Sequence, residues 1–95
     1  MGRLFEKIVE WSNNKNEWLI SERNISFEEI IVAVVENNKL LDIIQNNDKY
    51  SDQKILVVEI NNYVYLCPFI ENGDKIFLKT IYPSRKLTKI YLKEV

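Results

Sequence analysis

Six basic side chains and no acidic one lie between Lys75 and Lys93, and aromatic residues are interleaved with them. The basic residues are Lys75, Lys79, Arg85, Lys86, Lys89 and Lys93, and the aromatic ones are Phe77, Tyr82 and Tyr91. Phosphates attract cations and unstacked bases stack on flat rings, so this combination is typical of single-stranded RNA binding. A simpler interpretation competes with it, because a basic C-terminal helix is favoured by its own dipole and solvated lysines are common.

A site that cleaves RNA would have to work without imidazole, because the sequence contains no His. RNA supplies its own nucleophile, the 2′-hydroxyl, so a protein need only orient it, move protons and stabilise the developing charge. Arg85 is the first candidate, since its guanidinium fork fits a phosphate. Lys79, Lys86 and Tyr82 are neighbours that could assist, with Tyr82 or a lysine moving a proton. No metal or cofactor is expected, and the residues predicted to contact RNA are Lys75, Phe77, Lys89 and Lys93.

Other reactive or aromatic side chains have simpler interpretations. Glu59 lies in a strand-like run and could act as a base, but an outward carboxylate paired with a cross-strand lysine is the commoner arrangement. Cys67 lies in a β-type run and is expected to be a small core residue. Trp11 and Trp18 are expected to anchor the core.

Length and composition predict one folded domain over residues 1–95. Hydrophobic residues make up 46% and charged residues 28%, with only two Gly and two Pro, which excludes the disordered and fibrous classes. The net charge of −1 hides an asymmetry: residues 1–52 carry six basic and ten acidic side chains, and residues 53–95 carry seven and four. A polyanion is therefore expected to meet the C-terminal half.

The cysteine count and the apolar segments predict a cytoplasmic location. One Cys can form neither an internal disulfide nor a thiolate zinc site. No segment has the form of a signal peptide, and none approaches the roughly eighteen apolar residues that would span a bilayer. We expect a reducing compartment and no membrane association.

The N-terminal half is expected to begin with a strand and a short helix. An apolar, β-prone run over 4–11 predicts the strand. Ser12 or Asn13 can cap the helix, which should end near Asn24, a residue type that tolerates a left-handed conformation.

A second helix is predicted to start after Ser26. Ser26 and Glu29 have the spacing of a capping box, in which each side chain bonds to the other residue's backbone. The helix is predicted to end near Asn37 and Asn38. Its buried face should consist of Phe27, Ile30, Ile31, Val34 and Val35.

The C-terminal half is predicted to be an antiparallel sheet. A short strand over 40–44 and a polar loop over 45–52 precede it. β-Branched and aromatic runs over 54–60 and 63–69 then flank Asn61-Asn62, a pair that suits a two-residue hairpin turn.

A second hairpin and a helix complete the expected fold. Asn72-Gly73 is predicted to be a turn leading into a strand over 75–82. Pro83 ends that strand, and Ser84 caps a closing helix. The predicted class is α+β, with an N-terminal strand, two helices, an antiparallel meander sheet of about four strands and a short C-terminal helix.

Three segments resemble the BrnT family of bacterial type II toxins. They are Trp11-Ser12-x-x-Lys15, the Arg23 to Glu29 segment RNISFEE and the Ile81 to Lys89 segment IYPSRKLTK, and the similarity extends from about Phe5 to Leu92. The family carries Trp-Asp-x-x-Lys, Lys-His-Gly-Val-Ser-Phe-Glu-Glu and Arg-Ile-Ile-Ser-Ala-Arg-Lys-Ala-Thr in the same order. The resemblance implies a fold similar to the RelE and ParE toxins and ribonuclease activity that stops translation.

The resemblance also implies partners and changes the list of site residues. Family toxins are neutralised by a small antitoxin with a ribbon-helix-helix DNA-binding part, and a hetero-tetramer with that antitoxin is one arrangement. The family Lys-His pair falls on Glu22 and Arg23, so Arg23 is the cation that takes the place of the His. The first Arg of the closing motif falls on Thr80, beside Lys79, and its Ser falls on Pro83.

Two other functions remain open from the sequence. One is a toxin-like protein-binding module without nuclease activity, which acts through its antitoxin or another protein target. The other is a plain RNA-binding domain. The positions at which this chain departs from the family motifs are polar. These departures therefore bear on the nuclease activity more than on the fold.

Overall fold

The computed structural model describes residues 5–45 and 53–92. The elements in chain order are β1 (Ile8–Trp11), α1 (Asn13–Arg23), α2 (Phe27–Ile31) with a π-helical continuation (Val32–Glu36), β2 (Leu40–Gln45), β3 (Lys54–Ile60), β4 (Tyr63–Asn72), β5 (Lys75–Leu78), β6 (Tyr82–Pro83) and α3 (Arg85–Tyr91). The predicted α+β class is confirmed. The predicted polar loop lies, beyond Gln45, outside the described residues, and so does Lys93.

The strands form one six-stranded sheet in the order β1-β5-β4-β3-β2, with β6 also paired to β4. Every pairing is antiparallel except that of β1 with β5, in which Ile8 lies opposite Lys75 and Trp11 opposite Leu78. The meander was predictable because its turns are short. The parallel pair joins segments far apart in sequence, which no local pattern reveals.

One face of the sheet carries α1 and α2 and encloses the main core. Trp11 stacks on Phe27 with 5.5 Å between ring centroids, and Cys67 is fully buried beneath the helices. Both of these predictions are confirmed. The main core otherwise consists largely of Leu19, Ile25, Ile30, Ala33, Val34, Leu56, Val58, Phe69, Ile76, Leu78 and Ile81.

The predicted caps of the first two helices are present. The Ser12 hydroxyl accepts from the Lys15 N–H, and Asn24 ends α1 with a φ of 56°. The Ser26 hydroxyl accepts from the Glu29 N–H at 3.2 Å and lies 3.4 Å from the Glu29 carboxylate. These contacts satisfy backbone donors that the first turn of each helix leaves unpaired.

The helix after Ile31 widens into a π-helix, which changes the face it buries. The N–H of Asn37 donates to the carbonyl of Val32 at 3.0 Å, five residues earlier. A π turn holds more residues than an α turn. Side chains after Ile31 therefore no longer follow the 3.6-residue period that the predicted buried face assumed. Ala33 and Val34 are buried and Val35 is exposed. The prediction that Val35 lies in the core was therefore wrong.

The hairpin turns agree with the sequence in type, and one differs in position. Asn61 and Asn62 have φ of 55° and 63°, as a two-residue type I′ turn requires. Asn72 pairs with Lys75 inside the ladder, so the second turn consists of Gly73 and Asp74. Gly73 has a φ of 65°. This turn lies one residue later than predicted.

The predicted continuous strand over 75–82 is interrupted. Leu78 pairs with Phe69, whereas Tyr82 pairs with Leu66. Between these two pairs the segment from β5 to β6 spans four residue steps, while β4 spans only three. The extra residue shifts the register, as a β-bulge does. The break separates β5 from β6 and leaves residues 79–81 as a connecting segment.

The opposite face of the sheet carries α3 and a second, smaller core. Its buried residues are Ile55, Val57, Val64 and Leu66, and Leu41, Ile44, Tyr82, Leu87 and Leu92 pack against them. The Ser84 hydroxyl caps α3 by accepting from the Leu87 N–H at 3.1 Å, as predicted. The two cores explain why β3 and β4 are buried at consecutive positions.

Candidate nucleic-acid interface

Phe77 and α3 lie on the same face of the sheet. On β4, Leu66 packs in the second core beside α3, and Ile70 points the same way because side chains alternate along a strand. Phe77 is directly opposite Ile70 on β5, while its neighbours Ile76 and Leu78 are buried in the main core. Phe77 therefore projects outward, with 37% of its surface exposed. The topology therefore places the two segments that the sequence singled out on one face of the sheet.

The basic residues of this face have no acidic partners among the described residues. Ion pairs join Lys7 and Lys54 to Glu71, Lys39 to Glu59 and Lys75 to Glu10. No carboxylate in ranges 5–45 and 53–92 lies within ion-pair distance of four exposed cations. They are Lys79, Arg85, Lys86 and Lys89, and together with Phe77 we call them the cationic face.

Lys79 and Phe77 form the aromatic part of the cationic face. The Lys79 ammonium lies 5.4 Å from the centroid of the Phe77 ring, within the range of a cation–π contact. Lys79 is placed by its own backbone, since its N–H donates to the Pro68 carbonyl at 2.8 Å. A cation and an exposed ring thus stand side by side, as contacts to a phosphate and its base require.

Helix α3, which carries Arg85, Lys86 and Lys89, is held to β4 by hydrogen bonds of its polar residues. The Ser84 N–H donates to the Val64 carbonyl at 2.9 Å, and the Thr88 hydroxyl accepts from the Val64 N–H at 2.9 Å. Arg85 and Lys86 occupy the first turn, where the helix dipole opposes cations. Stabilisation by the helix dipole therefore does not explain why Arg85 and Lys86 are basic.

Tyr82 and Tyr91 occupy different environments. Tyr82 is half-buried against the second core, and no described group bonds to its hydroxyl. The Tyr91 hydroxyl donates to the Asp42 carboxylate at 2.9 Å. This hydrogen bond raises the pKa of Tyr91 above its usual value. Tyr91 is thus tied to β2, and Tyr82 is the tyrosine beside the basic first turn of α3.

Arg23 lies at the edge of the sheet rather than on the cationic face. Because β1 ends opposite Leu78, no strand among the described residues continues beside the segment after β5. The Arg23 guanidinium donates to the Ile81 carbonyl oxygen in that segment. It also lies 4.9 Å from the centroid of the Trp18 ring. Arg23 therefore attaches the end of α1 to the connection between Lys79 and Tyr82.

The other residues predicted to bind RNA or to anchor the core lie in different environments. Lys75 is on the same sheet face as Phe77 but pairs with Glu10 at 3.6 Å. Lys93 lies outside the described residues. Trp18 does not anchor the core as predicted: 43% of it is exposed on α1, because α1 buries Asn16 and Leu19 instead.

Glu59 belongs to an acidic pocket on another part of the surface. The pocket, of about 450 Å³, is lined by Glu28, Glu29 and Glu59, with Lys39 and the Asn61-Asn62 turn at its rim. Glu59 pairs with a lysine, Lys39, at 3.6 Å, but Lys39 precedes β2 rather than lying on a neighbouring strand, and the Glu59 side chain is only 15% exposed rather than outward. Three carboxylates against one lysine make the pocket unsuited to phosphate.

Asn16 is a polar core residue that the sequence analysis missed. Its amide oxygen accepts from the Phe27 N–H and its amide nitrogen donates to the Glu28 carboxylate, both at 2.8 Å. The second bond lowers the pKa of Glu28 below its usual value. An asparagine inside a helix, ten residues before the first residue of a capping box, gave no signal that it would bind there.

In 5–45 and 53–92, no group of three His, Cys, Asp or Glu residues is placed to hold a metal ion. Within the same ranges, no helix is long and apolar enough to cross a membrane.

No protein-family model matches the chain, and no curated protein matches it. The class that the fold defines is an α+β domain with a basic, partly aromatic surface on one sheet face.

Proposed function

We propose that this chain is an RNA-directed toxin of a bacterial type II toxin–antitoxin pair, similar to the BrnT toxins and acting in the cytoplasm. The observation that carries the proposal is the cationic face: four exposed cations without described acidic partners, one of which, Lys79, lies over the exposed ring of Phe77. Unpaired cations keep their full attraction for a polyanion, whereas paired lysines are already neutralised. The segments that resemble the family supply the toxin assignment and the expected RelE/ParE-like fold.

The proposed reaction is transesterification of RNA without a metal. The 2′-oxygen attacks the adjacent phosphorus, the bond from phosphorus to the 5′-oxygen breaks, and the products end in a 2′,3′-cyclic phosphate and a 5′-hydroxyl. Arg85 binds the phosphate oxygens as their charge increases, with Lys86 next to it in the first turn of α3 and Lys79 farther along the same sheet face. Tyr82 stands next to this turn with its hydroxyl free of described partners, and it moves a proton between the two oxygens.

Arg23 has a different part in this proposal from the one the resemblance implies. Its guanidinium is engaged by the Ile81 carbonyl and by the Trp18 ring. It therefore acts as a positioning residue for the segment between Lys79 and Tyr82, rather than as the cation at the scissile phosphate.

The second candidate is a protein-binding module without nuclease activity. The open edges of β1 and β2 favour it, because each of these strands pairs on one side only in the described sheet. Such an edge can accept a strand from an antitoxin or another protein. In the toxin proposal the ribbon-helix-helix antitoxin instead covers the cationic face with an acidic or amphipathic segment.

The direct test uses purified protein and a single-stranded RNA. Wild type, Arg85→Ala and the control Lys39→Gln are compared for RNA binding and for cleavage in EDTA. Lys39 is an exposed lysine of the acidic pocket, so its loss should leave both unchanged. We expect Arg85→Ala to abolish cleavage and weaken binding. Absence of wild-type binding would refute the proposal, and binding without cleavage would leave a plain RNA-binding protein.

A further inference from the structure

The outer surface of α1 carries a second combination of cations and an aromatic ring. The Lys15 ammonium lies 4.4 Å and the Arg23 guanidinium 4.9 Å from the centroid of the Trp18 ring. Neither cation is within ion-pair distance of a carboxylate among the described residues. We call these three residues the Trp18 cluster.

The exposure of Trp18 is not explained by the packing of the fold. A tryptophan can bury 150–250 Å², so leaving 43% of it exposed forgoes stabilisation. The aliphatic stems of Lys15 and Arg23 shield part of the ring. This shielding would give Trp18 a purely structural role, so the experiments must distinguish that role from binding.

Arg23 links the Trp18 cluster to the segment that follows Lys79 of the cationic face. Arg23 belongs to the cluster and donates to the carbonyl of Ile81, which lies between Lys79 and Tyr82 in the chain. Since β1 ends opposite Leu78, no described strand continues along this edge between α1 and the connecting segment. A nucleic-acid strand crossing the cationic face can therefore continue over this edge to α1.

We propose that the Trp18 ring stacks a nucleobase of single-stranded RNA, with Lys15 contacting an adjacent phosphate. This rests on the proposed RNA-binding function and extends it by a second contact site. Lys15 is suited to the phosphate because its only described partner is the ring, so it can turn toward an anion. RNA is favoured over an acidic peptide because the cluster offers a flat ring together with its cations.

The first experiment measures the salt dependence of binding. The probe is a labelled single-stranded oligouridylate of about twelve nucleotides, long enough for one protein surface. Trp18→Leu should weaken binding roughly 5- to 20-fold, because a stacked base is lost, and leave the salt slope unchanged. Lys15→Gln should reduce that slope by about 0.7, because one phosphate contact is lost. The matched control is Ile20→Ala on the same helix, which is 51% exposed and has no aromatic ring to stack a base.

The second experiment uses Trp18 as its own reporter. In a Trp11→Phe background, Trp18 is the only tryptophan of the 95-residue chain. Stacking predicts that oligouridylate quenches its fluorescence, while inorganic polyphosphate, which has charge but no bases, does not at equal occupancy. Equal quenching by both polymers would refute the stacking proposal.

The outcomes separate this proposal from the one on which it rests. Wild-type protein that binds no RNA would overturn both. RNA binding that depends on Arg85 and is unchanged in Trp18→Leu would overturn the Trp18 contact alone. A Trp18→Leu variant that loses stability and binds RNA as tightly as wild type would assign the ring a packing role.

Discussion

The Thr88 hydroxyl accepts a hydrogen bond from the Val64 N–H at 2.9 Å and donates one to the Ser84 carbonyl at 2.7 Å. Ser84 in turn donates its N–H to the Val64 carbonyl. Both backbone groups of Val64 are thus bonded to the start of α3. This link sets the position of Arg85 and Lys86 relative to the sheet.

Thr88→Val should destabilise the fold by about 1–3 kcal/mol, because the Val64 N–H loses its partner while the side-chain shape is kept. The measurement is urea unfolding followed by circular dichroism. Thr88→Ser keeps the hydroxyl and should retain most of the stability. Equal losses in the two variants would show that the hydroxyl does not matter.

Arg85→Lys should separate charge from geometry at the proposed scissile phosphate. Lysine keeps the charge and loses the planar fork, so RNA binding should stay within about threefold while cleavage falls at least tenfold. The unfolding free energy should change by less than about 0.5 kcal/mol, since Arg85 is exposed. Unchanged cleavage would remove the fork from the mechanism.

Asn16→Ala should cost about 1–3 kcal/mol of unfolding free energy, because it leaves the Phe27 N–H unpaired in a buried position. Denaturant unfolding measures the loss. Glu28→Gln serves as the control, since it changes the other partner of Asn16 and leaves the bond to Phe27. A loss in the control as large as in Asn16→Ala would contradict the role assigned to the backbone bond.

The Asn16–Glu28 bond should make stability depend on pH. The pKa of Glu28 is lowered in the folded chain, so the stabilisation is present at neutral pH and is lost as pH falls through that lowered pKa. The difference in unfolding free energy between wild type and Glu28→Gln should therefore shrink below about pH 4. A constant difference from pH 7 to about pH 3 would contradict this.

Cys67 should be chemically inert in the folded protein. Its thiol is fully buried, and burial raises the pKa of Cys67, so little thiolate forms. A thiol reagent should label it only after denaturant is added, and Cys67→Ala should keep RNA binding. Rapid labelling of the native protein would show that Cys67 is accessible.

Local signals in the sequence accounted for much of the fold. Ser12, Ser26 and Ser84 each cap the helix predicted for them, because capping depends on residues three positions apart. The break after β5 is visible only in retrospect: Ile76, Leu78 and Ile81 are buried, and the odd step from Leu78 to Ile81 cannot fit a period of two.

The candidate site was predictable in composition and not in arrangement. The sequence identified Lys79, Arg85 and Lys86 as a basic group, but which lysines are neutralised depends on contacts such as Lys75 with Glu10 across a parallel pair. The exposure of Trp18 depends on which face of α1 packs on the sheet, and the bond from Arg23 to Ile81 depends on where β1 ends. These are tertiary relationships between distant segments, which propensity and periodicity do not encode.

The most direct test of the toxin proposal is induced expression of wild type and Arg85→Ala in a bacterial host, with growth and total RNA integrity followed together. Equal protein levels in the two strains serve as the control. We predict growth arrest with loss of RNA for wild type, and neither for Arg85→Ala. Growth arrest with intact RNA would contradict the ribonuclease assignment, and arrest that persists in Arg85→Ala would contradict the site.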